Sequence, residues 1–563
     1  MTRFIQREYP LSYAAALEKE GFAPALARVL ASRGIDSCEQ LNADWRGMLA
    51  PDQLEGTQEA ARILADAIDQ AQRIMIVADY DCDGATACAV AVLGLRSMGA
   101  IVDYLVPDRF VLGYGLTPAI VDLAAQSHPD LIVTVDNGMA SIEGVARAHE
   151  LGIKVLITDH HLPAETLPEA ACIVNPNSPN CRFGSKNLAG VGVMFYVLMA
   201  LRAQLRERGR YDNQPQPRLD QLVDLVALGT VADVVKLDRN NRILVRQGLN
   251  RVRSGHTRPG LRALFEVAGR PSSQAKARDF GFIVAPRINA AGRLDVMTTG
   301  IECLISEDED RALHLAKELD EFNRERRELE SNMQWDAAML LHDVDMSECH
   351  SISLYEPSWH QGIVGLVASR IKDRQHRPTI AFADAGNGEL KGSGRSIEGI
   401  HLRDMLDIVT KRRPGLIIRF GGHAMAAGLT IDASRFEEFK AEFERVVSEN
   451  SDAQTFERHV LVDGPLKAED INFELVHAIN SQIWGQGFLP PLFANEFHVL
   501  KQTLLKGGHL KLLLELDGMR YTGIFFRHSA EVPEYARLAW RPEINEWMGR
   551  TSIQLVIEQV END

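Results

Sequence analysis

The stretch Ile74-Met75-Ile76-Val77-Ala78-Asp79-Tyr80-Asp81-Cys82-Asp83-Gly84 decides the fold. Its first five residues form a short apolar run, the signature of a buried strand. Three carboxylates follow at alternate positions, and then Ala85-Thr86-Ala87-Cys88-Ala89-Val90-Ala91-Val92-Leu93-Gly94-Leu95 reads as an apolar helix. Three aspartates crowded at a strand end repel one another, and clustering them is costly unless cations neutralise them. A turn that used aspartate only to cap the next helix would need one of them.

Two further apolar runs, Leu131–Val135 and Val155–Thr158, end in Asp136-Asn137-Gly138 and Asp159-His160-His161. Each turn is weak evidence alone, since Asn-Gly is a common turn and paired histidines occur on surfaces. Three successive strands delivering carboxylate or imidazole to one sheet edge are a different matter. From about 56 to 235 helix and short strand alternate, which indicates a parallel sheet with helices on both faces. Ligands of such sheets gather at the carboxyl ends of the strands. A fourth segment, Ala227-Leu228-Gly229-Thr230-Val231-Ala232-Asp233, places one aspartate at the end of an apolar helix, where capping or solvation also explains it. Mixed carboxylate and imidazole donors suit Mn²⁺ better than Mg²⁺, and so many donors suggest two ions about 3.5–4 Å apart.

Outward from this centre, residues 1–55 are helical in pattern and read as a cap, and 56–306 as the first α/β domain. Within 307–345, apolar residues recur at Ala312, Leu315, Leu319, Phe322, Leu329, Met333 and Leu340, with neither Pro nor Gly. That rhythm predicts one long linker helix of some thirty residues, roughly 45 Å at 1.5 Å per residue. Residues 346–450 form a second mixed α/β unit, and 456–563 carry β-like runs at Leu510–Leu516, Tyr521–Phe526 and Ser552–Ile557, the pattern of a small OB-like barrel.

The composition is that of an ordinary soluble protein, 45% hydrophobic and 25% charged. A net charge of −16 argues against a surface coated in base for duplex DNA and, alone, favours a small-molecule substrate. A groove can nevertheless stay basic within an acidic total. Seven cysteines without a C-x-x-C pair fit a reducing cytoplasm, and Cys38, Cys82, Cys88 and Cys303 read as core thiols. The N-terminal MTRFIQREYP has no apolar region of the signal-peptide kind, and no apolar run approaches the roughly 20 residues of a membrane span.

The ordered set DYDCDG, DNG, DHH and GTVAD resembles the DHH phosphoesterase superfamily. The likeness continues through Arg287–Arg293 (RINAAGR), 392–396 (GSGRS) and 421–428 (GGHAMAAG), then past the superfamily core into WGQGF at 484–488 and HLKL at 509–512. That full series is similar to the branch that degrades single-stranded DNA from the 5′ end. It implies two α/β domains of the DHH and DHHA1 type joined by a long helix, with an OB-like barrel behind. It implies metal roles for Asp79, Asp81, Asp83, Asp136, His160 and Asp233, with Asp136 bridging two Mn²⁺ or Mg²⁺ ions. Asp159 and His161 would complete the catalytic set by orienting His160 or touching substrate.

Substrate contacts are expected from Arg109 and Tyr114, from Arg287, Asn289 and Arg293 facing the scissile phosphate, and from Ser393, Arg395 and His423 near other phosphates. The composition of 392–396 is also that of an anion nest. Trp484, Phe488, His509, Lys511, Tyr521, Phe525 and Phe526 are expected on the barrel, where aromatics either stack on bases or fill the core. Single-stranded DNA is the implied substrate, acted on by a cytoplasmic monomer in repair and recombination, alongside a RecQ-type helicase and a single-stranded-DNA-binding protein. Two other readings are a small-substrate phosphoesterase and a non-catalytic DNA-binding relative. The first needs only the two α/β domains, and the second would not need the intact ligand set.

Overall fold

The computed structural model describes residues 2–107, 113–547 and 549–561. The chain forms two compact units, one from Glu8–Asn323 with Glu474–Pro491, the other from Met1–Arg7, Arg324–Phe473 and Leu492–Asp563. Among the described residues no helix is long and apolar enough to cross a membrane.

The chain begins with a strand rather than the expected helical cap: β1 (Thr2–Gln6) pairs in parallel with Arg458–Val462. Only Phe4 of β1 is buried, packing with Val462, Ala494 and Ala539. A five-residue strand whose partner lies near the other end of the sequence leaves no periodic trace of its own. The expected helices follow at Leu11–Lys19 and Pro24–Ala31. Cys38, expected in a core, is exposed.

The unit containing the aspartate turns is built on β2 (Arg73–Ala78), β3 (Ile101–Leu105), β4 (Leu131–Val135), β5 (Lys154–Thr158) and β6 (Cys172–Val174). They form one parallel sheet in the order β3-β2-β4-β5-β6. β2 and β4 are buried on both faces, which is why their sequences are apolar runs without alternation. The order reverses between them, so their carboxyl ends open the crevice where such sheets bind ligands. The helix Cys82–Ser97 that leaves β2 is buried on nearly every side, which its small residues allow.

The long helix is Glu309–Leu340, and the chain passes from one unit to the other within it. The second unit holds β7 (Ile352–Tyr355), β8 (Thr379–Gly386), β9 (Glu389–Arg395), β10 (Ile417–Gly422) and β11 (Ala426–Asp432). Their order is β10-β11-β9-β8-β7, with only β7 and β8 parallel. The segment 392–395 is therefore strand, its backbone paired with β8 and β11, and not a nest. Its glycines serve packing: a Cβ on Gly392 would lie 2.5 Å from the ring of Phe382 and 2.7 Å from Leu429.

Behind β12 (Arg458–Val462), the strands β13 (Phe493–Leu505), β14 (His509–Leu516), β15 (Met519–Phe525), β16 (Tyr535–Trp547) and β17 (Arg550–Val560) close into a barrel of the OB type. Trp484 and Phe488 are not part of it. They stack 5.1 Å apart within the other unit, with the Arg242 guanidinium 4.3 Å over Phe488. Leu237 N donates to Gln486 O, and Arg33 donates to Leu489 O and Pro490 O, so a loop from late in the sequence is laced into the unit that carries the aspartate turns. On the barrel, Tyr521 is buried and donates its hydroxyl to Ala468 O, which makes it a core residue.

Phe382 packs edge-on against Phe436 and Phe439, and its replacement by Ala should cost about 3–5 kcal/mol. Gly392→Ala should be destabilising alone and less so in the Phe382→Ala background, where the ring contacts are gone and the end of the flexible Leu429 side chain can shift into the space they leave. Urea unfolding of the four proteins measures the coupling. Additive effects would mean that the ring does not dictate the glycine.

Candidate metal centre

Asp79, Asp81 and Asp83 leave β2 in a turn whose geometry separates their jobs. Asp81 is the N-cap of the following helix, accepting from Asp83 N at 2.9 Å and Gly84 N at 3.0 Å. Asp83, fully buried, accepts from Gly190 N at 2.6 Å and Val191 N at 3.0 Å. Those two N–H groups belong to the first turn of the helix Gly190–Glu207, where unsatisfied donors and the helix dipole favour negative charge. Asn289, expected to touch substrate, accepts from Cys82 N at 2.7 Å and so holds this turn in place.

Asp136 follows β4 with φ of +62°, a left-handed conformation that is strained for a residue with a side chain. Asn137 locks the turn by donating to Val77 O and Val135 O, tying β2 to β4. Gly190 faces Asp136 from the other side, and a Cβ there would lie 2.6 Å from the Asp136 side chain. No residue other than glycine leaves room for the carboxylate at this contact.

After β5, Asp159 accepts from Met139 N, His160 N and His161 N, and from His161 Nδ1 at 2.7 Å. Burial alone would raise this carboxyl; the hydrogen bonds and charge of His161, with those from the backbone, hold it below its ordinary value. Asp159 is thus a positioning residue for both histidines. Asn175 and Asn177 complete the frame by donating to the carbonyls of His161 and His160. The His160 Nε2 lies 3.1 Å from Asp136 Oδ1, 3.4 Å from Asp233 Oδ2 and 4.0 Å from Asp83 Oδ2.

The donor atoms form overlapping groups: Asp79, Asp81 and Asp136; Asp83, His160 and Asp233; and Asp136, His160 and His161, the members of each within 4.8 Å of one another. Asp136 and His160 join the groups. Burial, and then the charge of its neighbours, pushes Asp83 up to about 7 and Asp233 up to about 9, and drives Asp136 well above the carboxylate range. Burial and the charge of His161 bring His160 down to about 4. Asp136 Oδ1 and His160 Nε2 are buried, yet neither makes a hydrogen bond among the described residues. Buried polar atoms that face one another and several carboxylates without a hydrogen bond are what a cation would satisfy. The donor set fits divalent metal.

Beside the centre, Tyr114 is 46% exposed, its hydroxyl 3.3 Å from His161 Nε2 and its ring edge-on to Tyr80. Arg109 lies outside the described residues. Arg287 does not face the crevice as expected: it is buried and ion-paired with Asp320 at 2.9 Å. A buried guanidinium matched by a buried carboxylate fixes one helix to another and has little charge left for phosphate. Arg293 is half-buried on the same helix, Ala285–Leu294.

In the second unit, Ser393 and Arg395 sit on one face of β9, with Arg395 Nη1 donating to Ser393 Oγ at 3.2 Å and Gly394 O at 2.8 Å. Burial lowers the Arg395 guanidinium, and no carboxylate pairs with it among the described residues. The helix Val364–Gln375 begins against this pair: a Cβ on Gly365 would lie 2.9 Å from Ser393 Oγ and 3.1 Å from Arg395 Nη2. His423 is exposed in the turn between β10 and β11, whose register sets Ala426 opposite Arg395.

Sequence reasoning missed the backbone donors at Gly190 and Val191, the asparagines 175 and 177, and the helix start at Gly365. The signals were present as Asn187-Leu188-Ala189-Gly190-Val191-Gly192, Asn175-Pro176-Asn177 and His360-Gln361-Gly362-Ile363-Val364-Gly365, each a turn before a helix or after a strand.

Family models match three segments: the DHH family N-terminal domain over residues 73–230, the DHHA1 domain over 348–449 and the RecJ OB domain over 462–559. The single-stranded-DNA-specific exonuclease RecJ of Salmonella typhimurium is 47% identical over 551 residues, covering 95% of this chain and 96% of that protein. The Bacillus subtilis protein of the same name is 33% identical, covering 96% and 68%. The crystal structure of Thermus thermophilus RecJ in complex with Mn²⁺ superposes with a TM-score of 0.84 at 30% identity, covering all of this chain and 79% of that one.

Without divalent metal, Asp136→Asn should be more stable than the wild type by about 1–3 kcal/mol, the scale of an unsatisfied buried polar group. Mn²⁺ at a hundredfold its Kd should stabilise the wild type by about 2.7 kcal/mol and the variant by less. Denaturant titrations with chelator and with Mn²⁺ test both. Equal gains in the two proteins would remove Asp136 from the ligand set.

Proposed function

The chain belongs to the RecJ family of single-stranded-DNA-specific exonucleases, and on that premise we propose that it removes nucleotides one at a time from the 5′ end of single-stranded DNA. The observation that carries this reading is the convergent donor set, part buried and part half-buried, joined through Asp136 and His160. It speaks against a non-catalytic relative. The C-terminal OB domain speaks against a small-substrate phosphoesterase, which has no use for it.

Asp79, Asp81, Asp83, Asp136, His160 and Asp233 would hold two divalent cations, Mn²⁺ or Mg²⁺. Such ions supply a water of lowered pKa and positive charge against which a phosphoryl group is clamped. In the reaction, a bond forms from the water oxygen to phosphorus while the bond to the 3′ oxygen breaks. That oxygen takes up a proton, and a 5′-mononucleotide leaves. Asp159 holds His161 in one orientation, and His161 and the exposed Tyr114 are placed to meet the substrate. Ser393, Arg395 and His423 grip phosphates further along the strand. Arg395 suits this because its hydrogen bonds go to neutral acceptors, leaving its charge available.

Residues 56–306 are assigned to the chemistry, 307–345 to the linker, 346–450 to holding the strand, and 456–563 to extending the grip on it. The exposed Phe526 beside His509, and Lys511 on the same strand as His509, are candidates for that grip. The loop carrying Trp484 and Phe488 is assigned to the catalytic unit. We place the enzyme in the cytoplasm as a monomer, in recombination and mismatch repair, with a RecQ-type helicase and a single-stranded-DNA-binding protein as partners.

A single-stranded oligonucleotide labelled at either end tests the polarity. In Mn²⁺ or Mg²⁺ a 5′ label should appear at once as mononucleotide, a 3′ label only late, and chelator should stop both. Early release of the 3′ label would overturn the assignment. Arg395→Ala should weaken oligonucleotide binding by about 1.5–3 kcal/mol, with Lys restoring only part, since it lacks the guanidinium fork. Unchanged affinity at fixed salt in both variants would move the grip elsewhere.

A further inference from the structure

One element beside the candidate metal centre carries a side chain that the donor set does not use. Phe280–Val284 form a π turn that runs directly into the helix Ala285–Leu294. This element rests on two turns of the centre. Near its start, a Cβ on Gly281 would lie 3.4 Å from Val231, two residues before Asp233. Farther on, Asn289 accepts from Cys82 N at 2.7 Å, and a Cβ on Gly292 would lie 2.2 Å from Tyr80 O. Phe280, Val284, Arg287 and Ile288 are buried, Phe280 edge-on against Phe265. Phe282, Pro286, Asn289 and Arg293 follow one another along the open side.

Phe282 is 78% exposed. A lone exposed phenyl ring is ordinary on a protein surface. Its backbone and its neighbours set this one apart. Single π turns are rare and recur at functional sites. Val234, next after Asp233, is 62% exposed with φ of +62°, a conformation that a β-branched residue seldom adopts. Two uncovered apolar side chains and two unusual backbone turns therefore flank the junction where Gly281 meets Val231. The step from Phe282 to Asn289 is about 10 Å along the helix axis, so the ring stands that far from the contact with the turn of Asp79, Asp81 and Asp83. A flat, uncharged face at that distance matches a planar heterocycle and not a phosphate.

We propose that Phe282 is a seat for one nucleobase of the strand held at the metal centre, ring and base lying face to face. The placement of the seat rests on the open side of this helix, and the identity of its occupant rests on the exonuclease reading. Every base offers a π face, so such a seat holds a strand without reading its sequence. It grips a base away from the reacting phosphorus, equally before and during the reaction. Its loss should therefore raise KM and leave kcat in place.

The test is the initial rate of the full chain in Mn²⁺ on single-stranded oligonucleotides that carry one abasic site at successive positions. For the wild type, one position near the cleaved end should raise KM at least about fivefold over intact DNA, the scale of one lost stack. Phe282→Ala and Phe282→Leu should raise KM on intact DNA by a similar factor, with kcat within about twofold, and the abasic site at that position should then add nothing. Phe282→Tyr keeps the ring and should keep the wild-type KM. Urea midpoints should be unchanged in all three variants, since the ring is exposed. A wild-type KM in Phe282→Leu would overturn the proposal, as would abasic penalties that add to that of Phe282→Ala at every position. The end from which the sensitive position is counted reports the polarity of cleavage, so the exonuclease reading and the seat fail separately.

Discussion

Mutual repulsion among carboxylates at one sheet edge is the constraint around which the catalytic unit is arranged. Asp79, Asp81, Asp83 and Asp136 converge because β2 and β4 are neighbours whose turns open at the same end. Every surrounding element lowers the cost. The first turn of the helix Gly190–Glu207 points two N–H groups at Asp83, and Asp81 spends one oxygen capping the helix that follows it. Asn137 prevents the two turns from separating. What remains uncompensated is concentrated on Asp136, Asp233 and His160, and a bound cation would offset it. Strain follows the same logic: the left-handed Asp136 persists because the hydrogen bonds on both sides over-determine it.

The fold of this unit was legible because a parallel sheet buried on both faces writes itself as uninterrupted apolar runs, and each run here ends in charge. The long helix was legible because its rhythm is unbroken from Glu309 to Leu340. β1 was not, since a single buried side chain in five residues makes no pattern, and its partner is found only in three dimensions. The placement of Trp484 and Phe488 failed for a related reason. Sequence order assigns them to the barrel that follows, but the loop is held by Leu237, Arg33 and Arg242, all from the first half of the chain.

The side chains that converge at the site were legible, and its backbone donors were not. Carboxylate and imidazole at a strand end carry their chemistry in the residue name. The N–H groups of Gly190 and Val191 do not, because any residue offers an N–H and only the close approach of Asp136 explains the glycine. The reading of 392–396 as a nest erred in the opposite direction. Glycine and serine are the composition of an anion loop, but here Gly392 is small so that the Phe382 ring can lie on it.

Arginines divide in a way that sequence cannot show. Arg287 stands in a motif and was expected at the phosphate, yet the buried Asp320 neutralises it. Arg395 is held by a carbonyl and a hydroxyl, so its orientation is fixed while, among the described residues, no carboxylate consumes its charge. An acceptor that is a dipole leaves most of a guanidinium's field for a ligand, whereas a carboxylate at the same distance removes it. In a chain with a net charge of −16, this is how local basic surface survives an acidic total. The partner of each arginine, not the number of arginines, decides how much of its charge is left for a ligand.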